Sequence, residues 1–89
     1  MTVVNNESAC RFELEEDGEL AIATYRKHGD VYVIPHVEAA LGLRGKGTAG
    51  RLMDGLVAMA RMGGFKIHPS CPYAKHWFET HTEQNDVVA

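Results

Sequence analysis

VYVIPHVEAALGLRGKGTAGRLMDGLVAMA, residues 31–60, changes its apolar period half-way along and so decides the fold. Up to Ala39 it alternates, with Val31, Val33, Val37 and Ala39 on one face of a strand and Tyr32, Ile34, His36 and Glu38 on the other. Pro35 has no amide hydrogen to give to a ladder, so a bulge or an unpaired stretch is expected there. Counted from Ala49, Leu52, Met53, Leu56 and Val57 fall at i+3, i+4, i+7 and i+8, and Ala60 extends the same helical stripe. Gly63-Gly64 follows and supplies the left-handed residue that ends a helix. The join between strand and helix is LGLRGKGTA, residues 41–49.

Reading outward from that unit, the N-terminal side is a meander. Phe12 and Leu14 share one face of a strand, and Asp17-Gly18 is a tight-hairpin signal because both residues tolerate positive φ. Leu20 and Ile22 continue the period of two, with Ala21, Ala23 and Tyr25 on the opposite face. KHGD at 27–30 makes a second turn. On the C-terminal side, FKIHP at 65–69 reads as a short strand, and CPYAKHWFETH at 71–81 as a second helix with Pro72 at its first position. TEQNDVVA at 82–89 has no clear pattern. The order is therefore β-β-β-α-β-α. An antiparallel β-meander plus one parallel β-α-β pair makes a mixed α/β sheet, with a right-handed crossover.

Eighty-nine residues make a single domain, 1–89, with room for one modest core. The formal charge of −3 excludes a dominating basic surface, so no nucleic-acid partner is expected. No stretch approaches the roughly 20 apolar residues of a membrane span, and the N-terminus lacks the pattern of a secretory signal. Cys10 and Cys71 stand too far apart to suggest a disulfide framework, so a reducing, cytoplasmic setting is expected.

The 41–49 join carries the chemistry. The first N–H groups of a helix have no internal partner, and the helix dipole makes that end positive. Arg44, Lys46 and Arg51 nevertheless crowd it, where a self-sufficient helix would place acids. An anion among them would remove the misfit, bridging free amides and cations. Gly45 and Gly47 would permit close backbone approach, and Thr48 offers a hydroxyl. The plain alternative is three solvated cations on a glycine-rich loop. The order of residues fits neither the NTPase phosphate loop nor the dinucleotide fingerprint.

RGKGTA, Arg44 to Ala49, resembles the Arg/Gln-x-x-Gly-x-Gly/Ala signature of the GNAT superfamily of acetyltransferases. More narrowly, HVEA at 36–39, CPY at 71–73 and HTE at 81–83 are similar to motifs of its small stand-alone, single-domain members. Val37, Trp77 and Thr82 depart from the usual residues there, at positions that touch packing more than the loop. The resemblance implies a minimal GNAT fold without the superfamily's usual N-terminal helical pair and C-terminal strands. It implies acetyl-CoA or coenzyme A as cofactor, with the pyrophosphate held by Arg44, Gly45, Lys46, Gly47 and Thr48. The amides of Val37, Glu38 and Ala39 would pair with the pantetheine arm. The thioester would enter a gap between the strands that end near Ala39 and Pro69.

Cys71 sits where the last strand meets the second helix, a position in which the helix dipole favours the thiolate and lowers a thiol's pKa. It reads either as a nucleophile that accepts the acetyl group, or as a lining residue beside which an amine attacks directly. A buried, inert cysteine is the structural alternative, and Cys10 reads as inert. An ammonium acceptor needs a base, and His36 or Glu38 could supply one, directly or through water; a half-buried histidine bonded to a neighbouring strand is the structural alternative for His36. His81 matches the family's histidine and is assigned a structural or substrate-side role. His68, Cys71, His76 and His81 are possible zinc ligands, but their spacing is poor and no metal is expected. The acceptor is an amine on a small molecule or a protein. A rival function is a non-catalytic module that binds coenzyme A or its acyl form, as sensor or scaffold.

Overall fold

A computed structural model describes residues 2–89. Five strands form one sheet in the order β1-β2-β3-β4-β5: Val4–Asn6, Arg11–Glu16, Glu19–His28, Val31–Ala39 and Lys66–Pro69. The first four pair antiparallel, and β4 and β5 pair parallel. Helix α1, Thr48–Gly63, makes the crossover between the parallel strands, and α2, Pro72–Thr80, follows β5. The mixed α/β sheet expected from the period change is present, with additions at both ends.

The expected order began with the strand at Phe12, and β1 precedes it. Its three residues are too few to show a period, and it is held through other elements. The Tyr25 hydroxyl donates to Asn5 Oδ1 at 2.8 Å, and the Val3 side chain lies over Gly55, where it occupies the space a β-carbon would need. At the other end, the unpatterned tail forms a 3₁₀ turn, Thr82–Val87, and a parallel bridge from Val88 to Ile67. Arg61 fastens that turn through a forked bond to Asp86, 2.9 and 2.7 Å, and a bond to Gln84.

The hairpin and the helix form for the reasons read from the sequence. Asp17 and Gly18 both take positive φ, 53° and 76°, as a two-residue turn between twisted strands requires. Leu52, Met53, Leu56, Val57 and Ala60 are all buried, and Gly64, at φ 72°, donates its N–H to the Ala60 carbonyl to close α1.

The pairing of faces on β4 needs correction. Arg26 opposes Val33 and Thr24 opposes His36, so Ile34 and Pro35 together face the single residue Tyr25. This is the bulge that Pro35 signalled, and its extra residue reverses the alternation. Tyr32 and Ile34 point into the core before it; after it Val37 and Ala39 turn inward, opposite Ala23 and Ala21. His36 and Glu38 therefore do not share a face with Tyr32 and Ile34. They join Ile22, Thr24, Val31, Val33 and His68 on the other side.

Both helices pack on the core side. Phe12, Leu14, Ala21, Ala23, Ile34 and Ile67 from the sheet meet Leu52, Leu56, Ala74, Trp77 and Phe78 from the helices in one cluster. On the opposite side Ile22, Thr24, Val31 and Val33 are partly exposed and His36, Glu38, Lys66 and His68 more so. Among the described residues nothing covers that side.

Candidate active site

The parallel ladder runs from Val31 opposite Lys66 to Ile34 opposite Pro69 and stops. The bulge falls at the same point. Beyond it β4 continues to Ala39, paired with β3 alone, and a gap opens where β5 has left. Bonding direction alternates along an antiparallel strand. The Ala40 amide donates to the Leu20 carbonyl at 2.9 Å, so the amides of Glu38 and His36 also turn toward β3. Val37 and Ala39 then present their N–H and C=O groups to the gap. Of the three amides expected to serve there, that of Glu38 is already committed to the sheet.

The loop after β4 stands at the same end. A 3₁₀ turn, Leu41–Leu43, leads into Gly45 and Gly47, both at φ 79°, a backbone region that disfavours any residue with a β-carbon. Both glycines are exposed, and open space surrounds Gly45 where a β-carbon would be. Helix α1 opens on Gly47 without a side-chain cap, and its first amides are free of backbone partners. The loop is therefore accessible; the Arg44 and Lys46 amides are bonded to the Leu41 and Leu43 carbonyls, and the amides that open α1 are not.

Its cations divide into two kinds. Arg44 is exposed and touches the Ala39 carbonyl at 3.4 Å. Lys46 is exposed and lies 3.6 Å from Asp17, a solvated pair. Arg51, counted among the anion-facing cations from sequence, points elsewhere: its Nε and Nη2 donate to Glu16 at 2.6 and 2.7 Å. The Thr48 hydroxyl is also taken, donating to Glu16 Oε1 at 2.6 Å from a side chain only 1% exposed. Thr48 thus offers an anion its amide and not its hydroxyl. Those hydrogen bonds, from Arg51 first and Thr48 second, hold the Glu16 carboxyl down to about 2.

Cys71 is buried at the N-cap of α2, its amide bonded to the Ile34 carbonyl and its Sγ accepting the Ala74 N–H at 3.3 Å. It stands at the closed end of the gap. His36 and Glu38 are drawn together on the bare face, Nε2 to Oε1 at 2.7 Å, both about half exposed. A carboxylate can only accept, so His36 Nε2 donates to it, which in a neutral imidazole leaves the lone pair on Nδ1. His81 caps the far end of α2. Its Nδ1 donates to the Trp77 carbonyl at 2.7 Å, and its ring stacks on Trp77 at 4.2 Å. Among the described residues no three His, Cys, Asp or Glu side chains converge on a metal-sized site, and no helix is long and apolar enough to cross a membrane.

A strand that loses its parallel partner at a bulge is thus followed by an exposed Gly-x-Gly turn into an uncapped helix. The model of the GCN5-related N-acetyltransferases matches residues 11–87, from the start of β2 to the end of the C-terminal turn. The chain belongs to that family. No curated protein matches it significantly. As a GCN5-related domain it has the scaffold of acyl-CoA-dependent acetyl transfer, and its family uses acetyl-CoA.

In this GCN5-related chain the element most hidden from sequence reasoning is Glu16. It sits on β2, far along the chain from Thr48 and Arg51. A signal did exist: Phe12, Leu14 and Glu16 share one face, so a carboxylate continues an apolar row into the core. Buried carboxylates require partners, and a cation just inside a helix start was the available one.

Proposed function

We propose that the chain transfers the acetyl group of acetyl-coenzyme A to an amine. The observation that carries this reading is the edge of Val37 and Ala39, unpaired by β5, beside the uncapped start of α1. An arm with amides can pair with the first while a diphosphate meets the second. The Arg44 and Lys46 side chains, with the amides of Gly45 and of Gly47 to Gly50, would hold the pyrophosphate. Bound there, acetyl-coenzyme A brings a thioester whose carbonyl carbon is the electrophile.

The acceptor reaches that carbon from the bare face of the sheet, where His36 and Glu38 stand past the bulge. His36 Nδ1, kept free by the bond from Nε2 to Glu38, takes the proton that the ammonium must lose. The amine nitrogen bonds the acetyl carbon, the carbon–sulfur bond breaks, and coenzyme A leaves as its thiol. With no helix on that face, a small amine, a protein side chain or a chain terminus can approach.

A second route runs through Cys71, favoured by the bond that Sγ accepts from Ala74 at the helix start. Sγ would take the acetyl group with release of coenzyme A and then yield it to the amine. Incubation with acetyl-coenzyme A alone, followed by intact mass, separates the routes. A gain of one acetyl group that is absent in Cys71→Ala supports the relay; an unmodified chain supports direct attack.

Thermal-shift titration with coenzyme A and acetyl-coenzyme A, with and without Arg44→Ala plus Lys46→Ala, tests the proposal as a whole. Stabilisation that the double variant loses, together with thiol release in the presence of amines, is the expected result. Stabilisation with no acetylated amine would replace the enzyme with a sensor or scaffold for coenzyme A. No stabilisation at all overturns both.

A further inference from the structure

We infer that Glu16 is a positioning residue for the pyrophosphate loop, acting through Arg51 and Thr48 without touching the ligand. This rests on the proposed binding of coenzyme A at residues 44–50.

The arrangement is a relay of bonds. Glu16 is the last residue of β2, 6% exposed, and its two oxygens receive three short bonds: Arg51 Nε and Nη2 at 2.6 and 2.7 Å, and Thr48 Oγ1 at 2.6 Å. The same Arg51 Nη2 also donates to the backbone carbonyl of Lys46 at 2.9 Å and lies 3.3 Å from Thr48 Oγ1. One guanidinium therefore ties a strand, the first helical residue and the middle of the loop together. Lys46 lies between the two residues that hold left-handed backbone, Gly45 and Gly47, which are the most mobile residue type when unsupported. Without the tie, ligand binding would have to order that segment each time, at a cost in affinity.

Two details argue for a positioning role over simple stability. Glu16 neutralises Arg51, which removes a cation from the site and leaves phosphate recognition to Arg44, Lys46 and the amides. The adjacent residue of the same turn, Asp17, lies 3.6 Å from Lys46. One hairpin turn thus meets the loop at two places, the Lys46 carbonyl through Arg51 and the Lys46 ammonium through Asp17.

The test combines ligand-free and kinetic readouts on the whole chain. In Glu16→Gln, and in Arg51→Lys, which keeps a cation but loses the fork, amide order parameters at Gly45–Gly47 should fall while those of β3 hold. The KM for acetyl-coenzyme A should rise about tenfold with kcat nearly unchanged, the mark of lost ground-state binding. Thr48→Val should behave similarly, and Thr48→Ser should restore wild-type values. Unchanged order parameters in Glu16→Gln and Arg51→Lys overturn the inference, as does an equal fall in kcat and kcat/KM. If the wild-type chain binds no coenzyme A, the proposed function fails, and the order parameters still decide what Glu16 does. Should Glu16→Gln not fold, Arg51→Lys and the Thr48 pair carry the test.

Discussion

The Cys71 amide donates to the carbonyl oxygen of Ile34 at 3.0 Å, and the Ser70 amide shares that oxygen at 3.1 Å. Ile34 is the last β4 residue paired with β5 and the first of the two bulged residues. One carbonyl therefore ends the parallel ladder, pins the start of α2 and places the Cys71 sulfur at the root of the gap. Cys71→Ser should keep the backbone bond and leave the Kd for coenzyme A within about twofold. If the acetyl group passes through sulfur, turnover should fall by about two orders of magnitude or more, measured as thiol release with a fixed amine.

The proposed mechanism makes His36 the base and gives Glu38 the task of orienting its ring. On that assignment Glu38→Gln should lower kcat less than His36→Ala does, and neither should alter coenzyme A affinity. Both side chains are half exposed, so melting temperatures should stay close to wild type. Steady-state kinetics beside calorimetric titration checks the split; an equal loss of affinity in either variant would place the pair in ligand binding.

Asp17 competes with any anion for Lys46. The pair is solvent-exposed, 3.6 Å apart, and worth at most about 1 kcal/mol. Asp17→Asn should therefore tighten coenzyme A binding by a few-fold, with the gain fading as salt is added. Titration at two ionic strengths reads it, and weaker binding would contradict the assignment of Lys46.

Gly45 and Gly47 should resist alanine for different reasons. At Gly45 a β-carbon meets open space, so only the φ of 79° opposes it, by about 1–2 kcal/mol. At Gly47 the same strain is joined by contact with Arg51 Nη1 at 3.2 Å. Gly47→Ala should thus unfold at lower denaturant than Gly45→Ala, and both should bind coenzyme A more weakly.

Acid should loosen the loop late. The Glu16 carboxyl is held at about 2 in the folded chain, below its usual value near 4.5, so it stabilises the fold at pH above that value. The contribution is lost as pH falls from about 4.5 toward 2. Glu16→Gln removes that part of the acid dependence. Denaturation midpoints of the two proteins should therefore draw together from about pH 4.5 and meet near pH 2, and a constant difference down to pH 2 would contradict the shift.

Much of this architecture could be read from sequence because its determinants are local. Asp17-Gly18 specified a hairpin, Pro35 a bulge, and the Leu52–Ala60 stripe a helix. The consequence of the bulge was not local: which side His36 faces depends on the residue count opposite Tyr25, which only strand pairing fixes. Arg51 was misread for the same reason. From sequence it was one more cation at a helix start, and its true partner lies on another strand. The strand Val4–Asn6 and the tail after Thr82 had no period to display, since their order comes from Tyr25, Arg61 and Ile67.

The side of the sheet without helices has one further consequence. Side chains such as Ile22, Thr24 and Val33 bear no interior packing, so exchanging them costs the chain little stability. A lineage built on this frame can retune what it recognises on that side while the buried layer stays as it is.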